Sequence, residues 1–205
     1  MEVMSLYKKY LFALVLGLMS SSSVASNEDW YFMFGIGKSD IQNDTDIESE
    51  IALVDSSPGV DEFSMGMDLL GIYRPHKDIK ELLLGLAIHC DAQFFTEETL
   101  SGRSTITDDI STLNYTIALS SLYFPSKEHG KGMFYRGDAG LVRNMVIIDN
   151  SDDINEKVGL GALVGLGYGI PISSKTRILI SANYSMSFVR GGEYKAGSLM
   201  IGGLW

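Results

Sequence analysis

RILISANYSMSF, residues 177–188, sorts cleanly with period two. Ile178, Ile180, Ala182, Tyr184, Met186 and Phe188 fall on one face; Arg177, Leu179, Ser181, Asn183, Ser185 and Ser187 fall on the other. A helix would scatter both sets around a cylinder, whereas a strand sends alternate side chains to opposite sides. VGLGALVGLGYGI, residues 158–170, sorts the same way. Val158, Leu160, Ala162, Val164, Leu166, Tyr168 and Ile170 share one face. Gly159, Gly161, Gly165, Gly167 and Gly169 share the other, interrupted by Leu163. This stretch is too short and too rich in glycine for a membrane helix, so its Gly161-x-x-x-Gly165 is a weak helix-pairing signal.

Working outward, Phe63, Met65, Met67, Leu69 and Tyr73 oppose Ser64, Gly66, Asp68 and Arg74. Leu82, Leu84, Leu86, Ile88 and Phe94 oppose Gly85, Ala87, His89, Asp91 and Gln93. Leu113, Tyr115, Ile117, Leu119 and Tyr123 oppose Asn114, Thr116, Ala118 and Ser120. Residues 133–147 fit less well, because Val142 shares a face with Arg136, Asp138 and Asn144 while Arg143 takes the other. Trp30 to Ser39 opens the series and Tyr194 to Trp205 closes it, which predicts eight strands. Most runs reach the ~9–11 residues that a tilted membrane strand requires.

The connections alternate in character. Short ones carry Pro75 to Lys80, Pro125 to Lys131 and Pro171 to Thr176; longer ones are expected at 40–62, 96–112 and 149–156, with a short turn at Arg190 to Glu193. Short turns at one end and long loops at the other match an outer-membrane barrel, whose short turns face the periplasm. Residues 40–62 hold eight acids and no base, whereas the proline-marked turns carry Lys77, Lys80, Lys127, Lys131 and Lys175. A soluble lipocalin-like barrel would alternate too; the bulk of the apolar face, with aromatics near strand ends, favours lipid contact.

The start of the chain reads as an export signal. Lys8 and Lys9 precede an apolar core from Leu11 to Met19, then small residues from Ser20 to Ser26. That core is too short to span a bilayer, which takes about 20 residues. Ser23 and Ala25 place the cleavage after Ala25, with Ser26 the neighbouring choice and a buried helix the alternative. Residues 1–25 are therefore expected to be a signal peptide, and 26–205 one β-barrel domain. A net charge of −10 disfavours nucleic acid as a partner. The single cysteine, Cys90, excludes an internal disulfide or a thiolate metal cluster.

With leader, eight amphipathic strands, and a last strand carrying Leu199, Ile201, Gly203 and Trp205 at alternate positions, the chain resembles the OmpA/OmpX type of small outer-membrane barrel. The resemblance implies an all-β fold, an eight-stranded antiparallel up-and-down transmembrane barrel in the outer membrane, spanning residues 30–205. It implies contact with outer-membrane lipid and lipopolysaccharide. It also implies a terminal aromatic, here Trp205 rather than the commoner phenylalanine, read by the barrel-assembly machinery. The periplasmic peptidoglycan-binding domain appended to OmpA proteins is not expected from these residues.

An eight-stranded barrel is just wide enough to be filled by side chains. The glycine face of 159–169 is then expected to make space for larger groups, with a ligand cleft as the alternative. Asp68, His89, Asp91, Arg136 and Asp138 fall on inward faces, where charges must pair; they are expected to form a polar plug, or else a gate. No catalytic residue is assigned. The outer-membrane lipid A deacylases use a His-x-Ser motif, but His89 is followed by Cys90 and Asp91; no cluster matches the palmitoyltransferases either. An Asp–His pair activating water is the residual enzymatic idea.

Cys90 falls on the lipid face by parity, as a small apolar filler. Asp44, Asp46, Glu48 and Glu50 form an acidic stretch expected to be a solvated loop, or else a loose site for a divalent cation or a surface ligand; no calcium-loop pattern is present, and neither a resident metal nor a cofactor is expected. Arg143 is placed outward, toward lipopolysaccharide phosphates. The expected role is non-enzymatic: an envelope protein acting through its surface loops, with a narrow ion-selective pore as the alternative.

Overall fold

The computed structural model describes residues 30–43, 60–101, 104–148, 154–190 and 192–205. The leader and the acidic positions Asp44, Asp46, Glu48 and Glu50 lie outside them. Eight strands run β1 (Tyr31–Gln42), β2 (Val60–Pro75), β3 (Leu82–Ser101), β4 (Ser104–Tyr123), β5 (Gly132–Ile148), β6 (Ile154–Pro171), β7 (Arg177–Val189) and β8 (Gly192–Leu204). Each pairs antiparallel with its sequence neighbour, and β8 closes on β1. The pairing from Gln42 runs through Lys195, Met186, Ala162, Ala139, Leu119, Leu86 and Ile72, and closes on Phe32, ten residues back along β1. That stagger, at ordinary strand rise and spacing, tilts the strands by about 40° to the barrel axis.

The two-face sorting holds along the strands, interrupted in β2 by an extra residue. Leu119, Leu141, Leu160 and Leu199 stand outward and exposed, each more than 60%. The irregular strand obeys it as well. Val142 points inward to pack with Val146, Val189 and Tyr194, and Arg143 points outward.

Two expectations need correction. Tyr73 is not on the apolar outer face; it is fully buried in the lumen. Asp68 pairs His89 but Leu70 pairs Ile88, so Leu69 is an extra residue in β2. A β-bulge of this kind shifts parity by one. Beyond it Leu70 and Ile72 turn outward, Tyr73 turns in, and Arg74 faces out over the Trp30 ring at 5.7 Å. Residues 96–112 are not a long loop either. The β3–β4 ladder continues to Ser101 opposite Ser104, leaving only residues 102–103 between the strands.

Cys90 lies on the outward parity of β3 yet is fully buried there, on the strand position paired with Tyr115. The glycine face of β6 is occupied by its neighbours. A Cβ at Gly161 would overlap Val142, one at Gly165 would overlap the Asn183 amide, and one at Gly167 the Phe134 ring.

Candidate functional site

The lumen is filled in layers. At the end carrying the proline-marked turns, Met33, Tyr73, Leu83, Leu122, Phe124, Phe134, Leu179 and Leu204 form one buried apolar cluster. Seven of the eight strands contribute a strand residue to it, all but β6, because inward positions near the turns are apolar where those at mid-barrel are polar. The smaller cluster around Val142 and Tyr194 lies toward the loop end.

Between them sits the charged group, and all five inward residues singled out in the sequence meet in it. Arg136 on β5 crosses the lumen to Asp68 on β2, Nη1 to Oδ2 at 2.7 Å. Its Nε donates to Asp138 Oδ2 at 2.8 Å, and Nη2 lies 2.6 Å from the same oxygen, close enough to pair but not aligned as a hydrogen bond. His89 Nδ1 is 3.0 Å from Asp68 Oδ1, and Nε2 is 3.2 Å from Asp91 Oδ2. A neutral imidazole has one donor, so only the imidazolium can donate to both carboxylates. Three aspartates then face two cations, and hydroxyls complete the set. Ser39 donates to Asp91 Oδ1 at 2.9 Å, Ser185 to Asp91 Oδ2 at 3.0 Å, and Ser120 to Asp138 Oδ1. The Tyr73 hydroxyl, brought inward by the bulge, bonds Ser120 at 2.9 Å. Small residues make the room: a Cβ on Gly35 would touch Asp68, and one on Gly66 would press on Asp91.

The sequence identified the charges but missed the residues that complete their shell. Ser39 and Ser185 alternate with apolar neighbours like any lumen serine, and nothing marks them as partners of Asp91. Tyr73 was misplaced by the bulge. A small cavity lined by Met33, Gly35, Asp68, Phe134, Arg136 and Met200 separates the charged group from the apolar layer below it.

A second polar tie closes the turn end, outside the membrane-spanning strands. His129, between β4 and β5, lies 2.7 Å from the Lys80 carbonyl through Nε2 and 3.2 Å from the Tyr31 hydroxyl through Nδ1. The carbonyl can only accept, so Nε2 carries the proton and Tyr31 donates to Nδ1. Tyr31 and Phe124 pack edge-on against the ring, and Arg177 Nε donates to the His129 carbonyl at 3.1 Å. Burial pushes this imidazole below its usual 6.5 and Arg177 adds to the effect, against the opposing pull of the Lys80 carbonyl and Glu81. The unfolded chain therefore binds more protons just below pH 6.5 than the folded one. Stability from this tie should be present above pH 6.5 and be lost as pH falls through the lower folded value. Urea unfolding across pH checks it: His129→Gln should flatten that part of the slope, and an unchanged slope would contradict it.

No protein-family model matches the chain, and no curated protein matches it by sequence. Solved structures do. Ail, the attachment invasion locus protein of Yersinia pestis, crystallised with the heparin analogue sucrose octasulfate, superposes with a TM-score of 0.52 at 13% identity, covering 86% of this chain and 98% of that one. Neisserial surface protein A gives 0.46 at 15% identity, over 85% and 95% of the two chains. The barrel domain of Pseudomonas aeruginosa OprF gives 0.39 at 14%, over 86% and 98%. At these identities the likeness to Ail carries the fold and nothing finer. The chain has the fold of the small eight-stranded outer-membrane barrels.

Proposed function

We propose that this chain is an integral outer-membrane protein whose lumen is sealed, and whose work is done by the surface it presents beyond the loop end. The observation that carries this is the charged group spanning the lumen. It ties β1, β2, β3, β4, β5 and β7 together, with every charge within bonding distance of an opposite charge. The apolar layer beneath it adds a second seal. The uninterrupted outward apolar faces of β3 and β6 suit lipid rather than water. In this reading residues 1–25 are removed on export, the proline-marked turns face the periplasm, and the assembly machinery reads Trp205. The acidic stretch at Asp44, Asp46, Glu48 and Glu50 then faces outward toward divalent cations or a basic partner. Arg143 faces out and is held by Glu156 at 2.7 Å, which leaves it a tempered contact for lipopolysaccharide phosphates.

Purified barrel in planar bilayers should give no steady conductance. Reproducible ion-selective steps that change with Arg136 or Asp138 would replace this reading with a pore. Fractionation should recover the mature chain, starting at Ser26 by mass, from outer membrane as a species whose gel migration changes on boiling. Recovery from the periplasm would overturn the location.

A further inference from the structure

The outward apolar belt has a notch. On β6 every outward residue from Ile170 to Val158 is apolar, and β3 matches it from Leu82 to Phe94 apart from the small Cys90 and Ala92. At about 2.5 Å of axial rise per tilted residue, each run is about 30 Å tall. On β1 the run stops at Ile36, and Lys38, Asp40 and Gln42 follow, all exposed. On β8 it stops at Leu199, beyond which come Gly197, Lys195 and Glu193. The register sets Lys38 beside Leu199, Asp40 beside Gly197 and Gln42 beside Lys195. The flanking strands stay apolar: Met65 pairs Lys38 from β2, and Tyr184 and Met186 pair Gly197 and Lys195 from β7. Lys38 is six residues above Phe32, about 15 Å up a belt about 25 Å tall. It sits within the hydrocarbon span, where a lone ammonium is costly.

The charges say what fits there. Lys195 is satisfied by Glu193 at 2.6 Å. Lys38 and Asp40 form no ion pair among the described residues. An anionic lipid phosphate would suit Lys38 but meet Asp40 one outward position away. A second copy of this chain, related by a two-fold axis along the membrane normal, offers both: each Lys38 reaches the partner's Asp40. Such a contact is self-complementary, as a two-fold interface must be. Gly197 leaves the surface flat, since a Cβ there would meet nothing within 4 Å. We propose that the β1–β8 seam is a homodimer contact in the membrane, built on reciprocal Lys38–Asp40 pairs. It rests on the outer-membrane reading above.

Gly197→Cys in native membranes, treated with a short bismaleimide, tests it. Cys90 is fully buried, so the parent chain should stay blank. Leu119→Cys on β4, 72% exposed, is the collision control. The dimer band should exceed the control at least fivefold. Lys38→Asp or Asp40→Lys alone should reduce it to the control, and the two together, which swap the charges, should restore it. A yield equal to the control, or no restoration by the swap, would overturn the dimer. Loss of co-purifying lipopolysaccharide on Lys38→Asp, without any dimer, would give the notch to a lipid headgroup instead. Boiling-dependent migration is read on the same samples. An inserted monomer rejects only the dimer, whereas soluble protein rejects the membrane reading and the dimer with it.

Discussion

Replacing Arg136 with methionine should lower the stability of the folded barrel by about 3–5 kcal/mol, the range for breaking one side of a buried ion pair. Arg136 has a side chain 2% exposed and bridges Asp68 and Asp138, themselves 6% and 2% exposed. Methionine fills similar volume but leaves two buried carboxylates close together, Asp68 with His89 alone and Asp138 with the Ser120 hydroxyl. The loss is therefore an uncompensated charge rather than a cavity. Two features separate that cause from general damage. Adding Asp138→Asn to Arg136→Met should recover part of the stability, because the stranded charge is gone. Arg136→Lys should fall between the parent and methionine, since an ammonium keeps the charge but cannot fork to two carboxylates. Urea titration of folding into lipid vesicles measures all of these. A change under about 1 kcal/mol would mean that water reaches and solvates the carboxylates, and the sealed lumen would go with it.

The fold was legible in the sequence because an eight-stranded barrel has two chemically different surfaces, and period two reads both directly. Even 133–147, where Val142 breaks the apolar-outward pattern, obeys the rule, since a local cluster of Val146, Val189 and Tyr194 takes this valine inward. Parity fails where a residue is inserted without a marker. Leu69 resembles its neighbours, nothing in the composition of 63–74 announces a bulge, and Tyr73 was assigned to the wrong face. Loop length failed for a different reason. Residues 96–112 are polar enough to read as a loop, yet the β3–β4 ladder runs through them to Ser101 opposite Ser104, because backbone pairing needs no apolar face. The five lumen charges were found because burial makes any inward charge conspicuous. Their pairing was not, because which strand faces which across a barrel depends on closure and a ten-residue stagger, quantities that no local window contains. Asp44 to Glu50, expected to be a solvated loop or else a loose cation or ligand site, lies outside the described residues.

The glycines of β6 carry the other large effect. If they exist to admit neighbouring side chains, enlarging one should hurt in proportion to what stands opposite, and shrinking that neighbour should repair it. Gly161 is the clean case: its missing Cβ would overlap a methyl of Val142, which is 1% exposed and packs with Val146, Val189 and Tyr194. Gly161→Ala should destabilise the barrel by about 1–3 kcal/mol, the cost of overpacking a filled interior. Val142→Ala should destabilise as well, by opening a hole in the same place. Together they set the new methyl where one of the two lost Val142 methyls stood, so the double variant should be more stable than the sum of the singles implies, by 1 kcal/mol or more on the scale of about 0.5–3 kcal/mol seen for touching residues. A ligand cleft predicts otherwise, since a methyl projecting into free space has nothing to displace and the two changes would simply add. Strict additivity in the vesicle-folding titration would return the glycine face to the status of an open groove.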